Sequence, residues 1–194
     1  EQVNIPRACF YHLVYTGRGA GMVEEDLTPQ QTRAAFDFIL DRAVDLHRRG
    51  LEKDILMVDN HCDGVYLYLR LLKEDSRRAE QVYALLEANG GNASGVAIGC
   101  VDNVGDVHPD QFWQSYTFGN VRERPFSDIW TDTSDPIMAG LKNRKPLLKG
   151  RCAQTSCRWI DVCNGNFRAR AVAVYDDCWM QDPACYLTDD EIAR

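Results

Sequence analysis

The sequence predicts an α/β fold in two regions: βα units over residues 1–88, then a small irregular α+β region over residues 89–194. Three observations predict it. An apolar run, a well-capped amphipathic helix and a second apolar run succeed one another at the spacing of a βαβ unit. The character changes at Asn89-Gly90-Gly91-Asn92, beyond which the elements are short and the loops long. Four cysteines, Cys152, Cys157, Cys163 and Cys185, then gather in the second region.

Residues 8–15, ACFYHLVY, carry β-favouring Val and Tyr in an apolar run and are expected to form a buried strand. A glycine-rich loop, TGRGAGMVEED, follows. The next helix has explicit start signals: Thr28 as N-cap, Pro29 at the first helical position and Gln31 completing a capping box. Phe36, Ile39, Leu40, Ala43 and Leu46 form its apolar face, and His47, Arg48, Arg49 and Gly50 close it. DILMVD, residues 54–59, is the second strand, and a helix-linked pair of this length is parallel. Residues 64–88 read as helix in two pieces, broken near Asp75-Ser76. Residues 95–102 and 106–108 flank Asn103-Val104-Gly105 as a hairpin. FGNVRERPFSDIW ends in a helical turn, and DPIMAGLKNRKPLLKG supplies a helix leading into the cysteines. Two βα units cannot shield both faces of a parallel sheet, so the first region is expected to continue a larger βα array lying upstream. The short elements of the second region are expected to draw stability from an inserted metal.

The 194 residues are 45% hydrophobic, enough for one large or two small domains. A formal net charge of −7 argues against a generic nucleic-acid or anionic-membrane surface. No apolar run of about 18 residues is present, so no membrane span is expected. Eight cysteines, unevenly spread in a chain able to build its own core, point to a reducing cytoplasm rather than a disulfide framework.

Three of the four clustered thiols lie within twelve residues, at C-x4-C and C-x5-C spacing, and the fourth follows a gap of 21 residues. Gly150 and Asn164-Gly165-Asn166 let the backbone bend tightly around a central object. Four thiolates on irregular loops suit an iron–sulfur cubane, one per iron corner. Structural zinc accepts the same ligands but is usually held by closely spaced pairs, and no C-x2-C occurs here. Buried thiols without a metal are the remaining reading. The roles of Cys62, Cys100 and Cys178 stay open.

In parallel βα arrays, function collects at the C-terminal ends of the strands. That places Thr16-Gly17-Arg18-Gly19 and Asp59-Asn60-His61-Cys62-Asp63 over one mouth. Arg18 suits a bidentate carboxylate clamp, against the alternative of a solvated loop residue. His12 and His61 are candidates to contact a bound ligand or metal, or to be hydrogen-bonded core histidines. His108 is expected to be structural. Arg168 and Arg170 follow the cysteine loop and suit neutralising negative charge there, or simple exposure.

The ordered set GDVHPD, FGNVRERPFSDIW, the cysteine stretch and DPACYLTDDE resembles the C-terminal SPASM or twitch extension of radical SAM enzymes. YHLVYTGRG, VDNHCDG and CNGNFRARA narrow the resemblance to the NirJ-type group of heme d1 biosynthesis, related to the enzymes of alternative heme synthesis. The resemblance covers nearly the whole chain. It implies that residues 1–88 are the last βα units of a partial radical SAM barrel. It also implies an upstream half whose C-x3-C-x2-C loop binds the [4Fe-4S] cluster that cleaves S-adenosylmethionine. No such spacing occurs here, so the chain alone is expected not to cleave S-adenosylmethionine. It further implies that Cys152, Cys157, Cys163 and Cys185 ligate an auxiliary [4Fe-4S] cluster. A full SPASM region has a second auxiliary cluster, whose cysteines would fall near Asn92, at Asp110 and near Phe167; none is a thiol, so one cluster is expected.

The expected function is therefore the C-terminal half of an enzyme that removes propionate side chains from a siroheme-derived iron tetrapyrrole. Arg18 and Asp59 would meet the substrate, with His12 or His61 near the macrocycle. The rival readings are a zinc-binding, non-enzymatic interaction module and a SPASM enzyme that modifies a peptide.

Overall fold

The computed structural model describes residues 4–193, so Glu1–Val3 and Arg194, at the two ends of the expected regions, lie outside the described residues. Strands β1 (Arg7–Tyr11) and β2 (Asp54–Val58) pair in parallel, from Arg7 opposite Asp54 to Tyr11 opposite Val58. Helix α1 (Pro29–Arg48) makes the crossover, giving the expected parallel βαβ unit. The first strand is shorter and more exposed than its apolar sequence suggests. The ladder ends where the His12 amide donates to the Val58 carbonyl, 3.1 Å away. Val14 then leaves to join a separate core, while Phe10 and Tyr11 stay exposed because two strands cover neither face of the sheet.

The glycine-rich loop winds into 3-10 turns over Gly17–Glu25. The capping box of α1 is formed: Thr28 Oγ1 accepts from the Gln31 amide at 3.3 Å, and Gln31 Oε1 accepts from the Thr28 amide at 2.9 Å. Helices α2 (Cys62–Glu74) and α3 (Ser76–Asn89) break at Asp75, whose side chain caps the second helix by accepting from the Arg78 amide at 3.1 Å. Gly90, at φ +70°, terminates it.

The hairpin contracts to β3 (Cys100–Val101) and β4 (Val107–His108), shorter than expected because the amides of Val96, Ala97 and Ile98 all turn back onto the Ala93 carbonyl. Helices α4 (Phe126–Thr131) and α5 (Pro136–Lys142) follow, the latter capped by Asp135. The expected helix beyond Lys142 is replaced by 3-10 turns at Lys145–Leu147 and Gly150–Cys152. Three short helices, α6 (Ile160–Cys163), α7 (Arg168–Tyr175) and α8 (Asp189–Ile192), complete the chain.

The two regions share one core. Phe36, Val65 and Tyr66 pack with Trp159, Val162, Tyr186, Leu187 and Ile192. Arg33 on α1 grips Glu191 on α8 with two hydrogen bonds of 2.8 and 2.9 Å. A second core gathers Val14, Trp113, Leu141, Ala169 and Cys178. Gly91, at φ +73°, brings the end of the α3 turn onto the Cys163 carbonyl so closely that any Cβ would collide with it. Among the described residues no helix is long and apolar enough to cross a membrane. Replacing Asp75 with Ala is expected to cost about 1 kcal/mol, as for a lost N-cap, measured as a lower urea midpoint at unchanged slope.

Candidate metal centre and the strand-end site

Short loops deliver the four thiols. Cys152 ends a 3-10 turn, Cys163 closes α6, and Cys185 lies on the return segment between α7 and α8. After Cys163 the chain takes three successive left-handed residues, Asn164, Gly165 and Asn166, at φ +53°, +79° and +58°, conformations that Asn and Gly tolerate best. Cys152, Cys157, Cys163 and Cys185 all line one small cavity, walled by Trp159, Ile160, Leu187 and Ile192. Burial pushes the Cys163 thiol well above the usual range, and charge on Cys152, Cys185 or Cys157 pushes it the same way. Burial likewise raises Cys152 to about 11. These two thiols are therefore protonated at neutral pH, and a metal binding here must displace their protons. Among the described residues, no three His, Cys, Asp or Glu side chains converge tightly enough to hold a single metal ion.

A fifth thiol lines the same cavity. Cys62, the first residue of α2, is 1% exposed, and its sulfur lies 2.9 Å from Asn60 Oδ1. The sequence left its role open because it lies 90 residues before the cysteine-rich stretch; its place at the end of the second strand was the available signal. Cys178 sits in the second core and Cys100 on β3, and neither lines the cavity.

Two buried cations flank the thiols. Arg168 is wholly buried; it donates to the carbonyls of Cys178 at 2.9 Å, of Met180 and of Gly165, and its Nε has no partner. Its charge acts on Cys152. Arg144 donates to Asn92 Oδ1 at 2.6 Å and to the carbonyls of Ser94 and Leu141. Burial, then the neighbouring Arg168, lowers Arg144 to about 10. Neither guanidinium has a carboxylate among its hydrogen-bond partners. Arg170 differs: it forms a wholly buried ion pair with Asp182 at 2.8 Å. The exposed alternative for Arg168 and Arg170 is thus corrected, because both are drawn inward by fixed acceptors.

The positions where a second cluster's cysteines would fall belong to a polar network. Asp110 Oδ1 accepts from the amides of Phe112 and Trp113, each at 2.8 Å, and its Oδ2 accepts from Ser94 Oγ. Asn92 Oδ1 accepts from the Ser94 amide as well as from Arg144.

At the strand ends, His61 stacks on Phe167 with ring centroids 5.8 Å apart, and Phe167 meets Phe112 edge-on at 5.4 Å. Among the described residues neither His61 ring nitrogen meets a hydrogen-bond partner. Burial, reinforced by Arg170, lowers His61 to about 4, so its imidazole is neutral. His12 is engaged on both sides: Nε2 lies 2.9 Å from Asp63 Oδ2, and Asn60 Nδ2 lies 3.5 Å from Nδ1. Asp63 also accepts from the Tyr186 hydroxyl at 2.7 Å. His12 and Tyr186 line a cavity of about 360 Å³ whose other walls are mainly apolar and whose charged lining residues are Glu25 and Asp26. Arg18 is exposed and lines neither cavity, and Asp59, at φ +70°, is half-buried with its carboxyl raised by burial.

His61 links to stability with a definite sign. It is neutral in the folded chain, while the unfolded chain takes up a proton near pH 6.5. Its stabilisation is present above that pH and lost as pH falls toward 4, on the order of 3 kcal/mol in all. Thermal melts of the chain and of His61→Gln between pH 7 and 4 are expected to show a shallower acid loss in the variant; equal slopes would count against a neutral, buried His61.

Comparison with known proteins finds relatives among enzymes of heme biosynthesis. The chain is 62% identical to the Fe-coproporphyrin III synthase of Methanosarcina barkeri, over 99% of this chain and 48% of that protein. It is 44% identical to the pre-heme d1 synthase of Dinoroseobacter shibae, over 93% of this chain and 44% of that protein. Identity to the AdoMet-dependent heme synthase of M. barkeri is 29%, over 61% of this chain and 33% of that protein. The chain therefore spans about half the length, or less, of these curated relatives. No family model and no solved structure matches it. Sequence motifs and relatives together place the chain among the NirJ-like radical SAM proteins of heme biosynthesis.

Proposed function

We propose that the chain is the C-terminal half of a radical SAM enzyme that trims carboxylate-bearing side chains from a siroheme-derived iron tetrapyrrole. Residues 1–88 are then the last βα units of a partial barrel and residues 89–194 a SPASM/twitch-like region. S-adenosylmethionine and its own [4Fe-4S] cluster belong to the remainder of the enzyme. Cys152, Cys157, Cys163 and Cys185 hold one auxiliary [4Fe-4S] cluster, which when bound supplies one-electron chemistry.

The observation that carries this reading is the donor set with its counter-charges. Four thiols line one buried cavity. Buried Arg168 and Arg144 hydrogen-bond only to carbonyl oxygens, and the Asp110 carboxylate acts on Arg144 without a direct hydrogen bond. An anionic thiolate-bound cluster places negative charge beside both.

The macrocycle binds at the strand ends, where His61, Phe167 and Phe112 form an aromatic row suited to a flat ring. His61, neutral and unengaged, offers a lone pair to the iron; His12, held on both ring nitrogens, does not. The larger cavity beside His12 is a poorer site for a carboxylate-rich ligand, because Glu25 and Asp26 bring only negative charge. Arg18, on the exposed 3-10 segment, is the cation available to a substrate carboxylate. Adjacent residues join the two sites: the His61 ring belongs to the aromatic row, while Cys62 lines the thiol cavity.

Which side chains are trimmed divides into two readings. Propionate removal follows the heme d1 resemblance. An iron coproporphyrin retains its propionates, and the higher identity, 62% against 44%, favours that outcome. Incubating the full-length enzyme with siroheme derivatives and weighing the product by mass spectrometry separates them.

Chain prepared without oxygen is expected to be brown, with iron and acid-labile sulfide in near-equal amounts, and Cys157→Ala is expected to lose most of both. Stoichiometric zinc without sulfide would overturn the cluster. In a spectroscopic titration of the full-length protein with siroheme derivatives, Arg18→Ala is expected to weaken binding roughly ten- to a hundredfold, the effect of losing about 1.5–3 kcal/mol from a charge-assisted contact. His61→Ala is expected to abolish the shift of the main absorption band. Unchanged behaviour in both variants removes these residues from the site, and no tetrapyrrole binding at all favours a peptide substrate.

A further inference from the structure

The N-terminus of α2 leaves amides that its own turns cannot pair, and two asparagine carboxamides take them. Asn60 Oδ1 accepts from the Cys62 amide at 3.2 Å. Asn166 Oδ1, on the left-handed turn after Cys163, accepts from the His61 amide at 3.0 Å. The two carboxamides also join each other, Asn166 Nδ2 donating to Asn60 Oδ1 at 2.7 Å. Asn60 Nδ2 donates in turn to the Ala184 carbonyl of the return segment at 3.0 Å. A local residue caps its own helix routinely, but Asn166 reaches the His61 amide from 105 residues away, and it is 1% exposed. The next residue, Phe167, stacks on the His61 ring, and its own amide is fixed on Asp182 at 2.9 Å. Consecutive residues of one loop thus hold His61 twice, Asn166 by the main chain and Phe167 by the ring.

We propose that Asn166 is a positioning residue for the macrocycle site: by holding the His61 amide it sets the direction in which the imidazole presents its lone pair to the tetrapyrrole iron. This rests on the reading of His61 given above. A histidine that meets a metal is ordinarily aimed by a hydrogen bond to its other ring nitrogen. His61 has none among the described residues, so its aim has to come from elsewhere. The Phe167 stack fixes the plane of the imidazole. Where the ring nitrogens fall within that plane depends on where the main chain starts, and the Asn166 hydrogen bond fixes that. Asparagine suits the task on two counts. It tolerates the left-handed backbone at φ +58°, and its carboxamide offers the His61 amide an acceptor while giving Asn60 a donor. Asn166 also lines the thiol cavity, so the loop that carries Cys163 carries the residue that aims His61.

The test is a double-mutant cycle in the full-length protein. Asn166→Gly and Asn166→Asp are made alone and in the His61→Ala background, and each protein is titrated with siroheme. Quenching of tryptophan fluorescence gives the affinity whether or not the iron gains a ligand, and the main absorption band reports ligation. Asn166→Gly keeps the left-handed backbone and is expected to weaken binding roughly three- to tenfold, to diminish the band shift and to retain wild-type iron and sulfide. Asn166→Asp, which keeps an acceptor for the His61 amide, is expected to preserve more of the band shift. In the His61→Ala background neither change is expected to weaken binding further, because Asn166 acts through His61. Losses that add in full to that of His61→Ala would overturn the proposal, as would wild-type affinity and band in Asn166→Gly. Loss of iron and sulfide in both Asn166 variants, to the extent seen in Cys157→Ala, would assign the carboxamide to the metal loop and overturn it too. A wild-type protein that binds siroheme with no band shift fails at the earlier step, removing His61 as an iron ligand and with it this role for Asn166.

Discussion

The buried ion pair of Arg170 with Asp182 is the constraint on which the rest of the arrangement depends. Asp182 receives the Arg170 guanidinium, the Phe167 amide at 2.9 Å and the Ala184 amide at 2.8 Å. Arg170 spends its remaining donors on the carbonyls of Leu13 at 3.2 Å and Asp59 at 2.9 Å, just beyond the ends of β1 and β2. One side-chain pair thus ties both strand ends to the loop after Cys163 and to the segment that brings Cys185 back. Losing one member of such a pair strands a buried charge and typically costs about 3–5 kcal/mol. The pair therefore contributes less to net stability than to register: it fixes where the thiol cavity lies relative to the strand ends.

That register explains why the second region tolerates so little regular structure. Helices α6 and α8 have four residues each, below any length that is stable alone. They hold because Trp159, Val162 and Ile192 enter the core built on α1 and α2, and because the Trp159 indole donates to the Glu191 carbonyl at 2.7 Å. The hydrophobic effect is satisfied on the outer side of the cysteine loop and polar constraint on the inner side. Between them remain two thiols raised by burial, Cys152 and Cys163, and two guanidiniums hydrogen-bonded only to carbonyl oxygens.

Much of this was legible in the sequence, wherever the signal was local. The Thr28–Gln31 capping box, the break at Asp75 and the stop at Gly90 follow from side chains acting on amides within three residues. The four thiols and the left-handed Asn164-Gly165-Asn166 turn were visible for the same reason. What the sequence hid was long-range. Residues 8–15 read as one buried strand, but Val14 belongs to another core and Phe10 is exposed, because the packing partners lie some 100 residues away or are absent from a two-stranded sheet. Cys62 was equally hidden, since its place in the lining of the thiol cavity exists only after the end of β2 and the return segment are brought together. For the arginines of CNGNFRARA the sequence left charge neutralisation and simple exposure both open, and only the carbonyls and the carboxylate that surround them show that they are buried.

The network around Asp110 bears on how much redox chemistry this half can hold. Ser94, Asn92, Asp110 and Arg144 are all buried, and their oxygens and donors are satisfied by one another and by nearby backbone. A metal at that place would have to take Asp110 from two amides and a hydroxyl, leaving three buried donors unpaired at about 1–3 kcal/mol each. It would also add its own charge beside Arg144, which burial and Arg168 already hold below its usual value. The same arginine lies close enough to feel charge on Cys163. The residues at that place thus do a different job: Asn92 and the Ser94 carbonyl hold the Arg144 guanidinium where its charge reaches Cys163 of the thiol cavity.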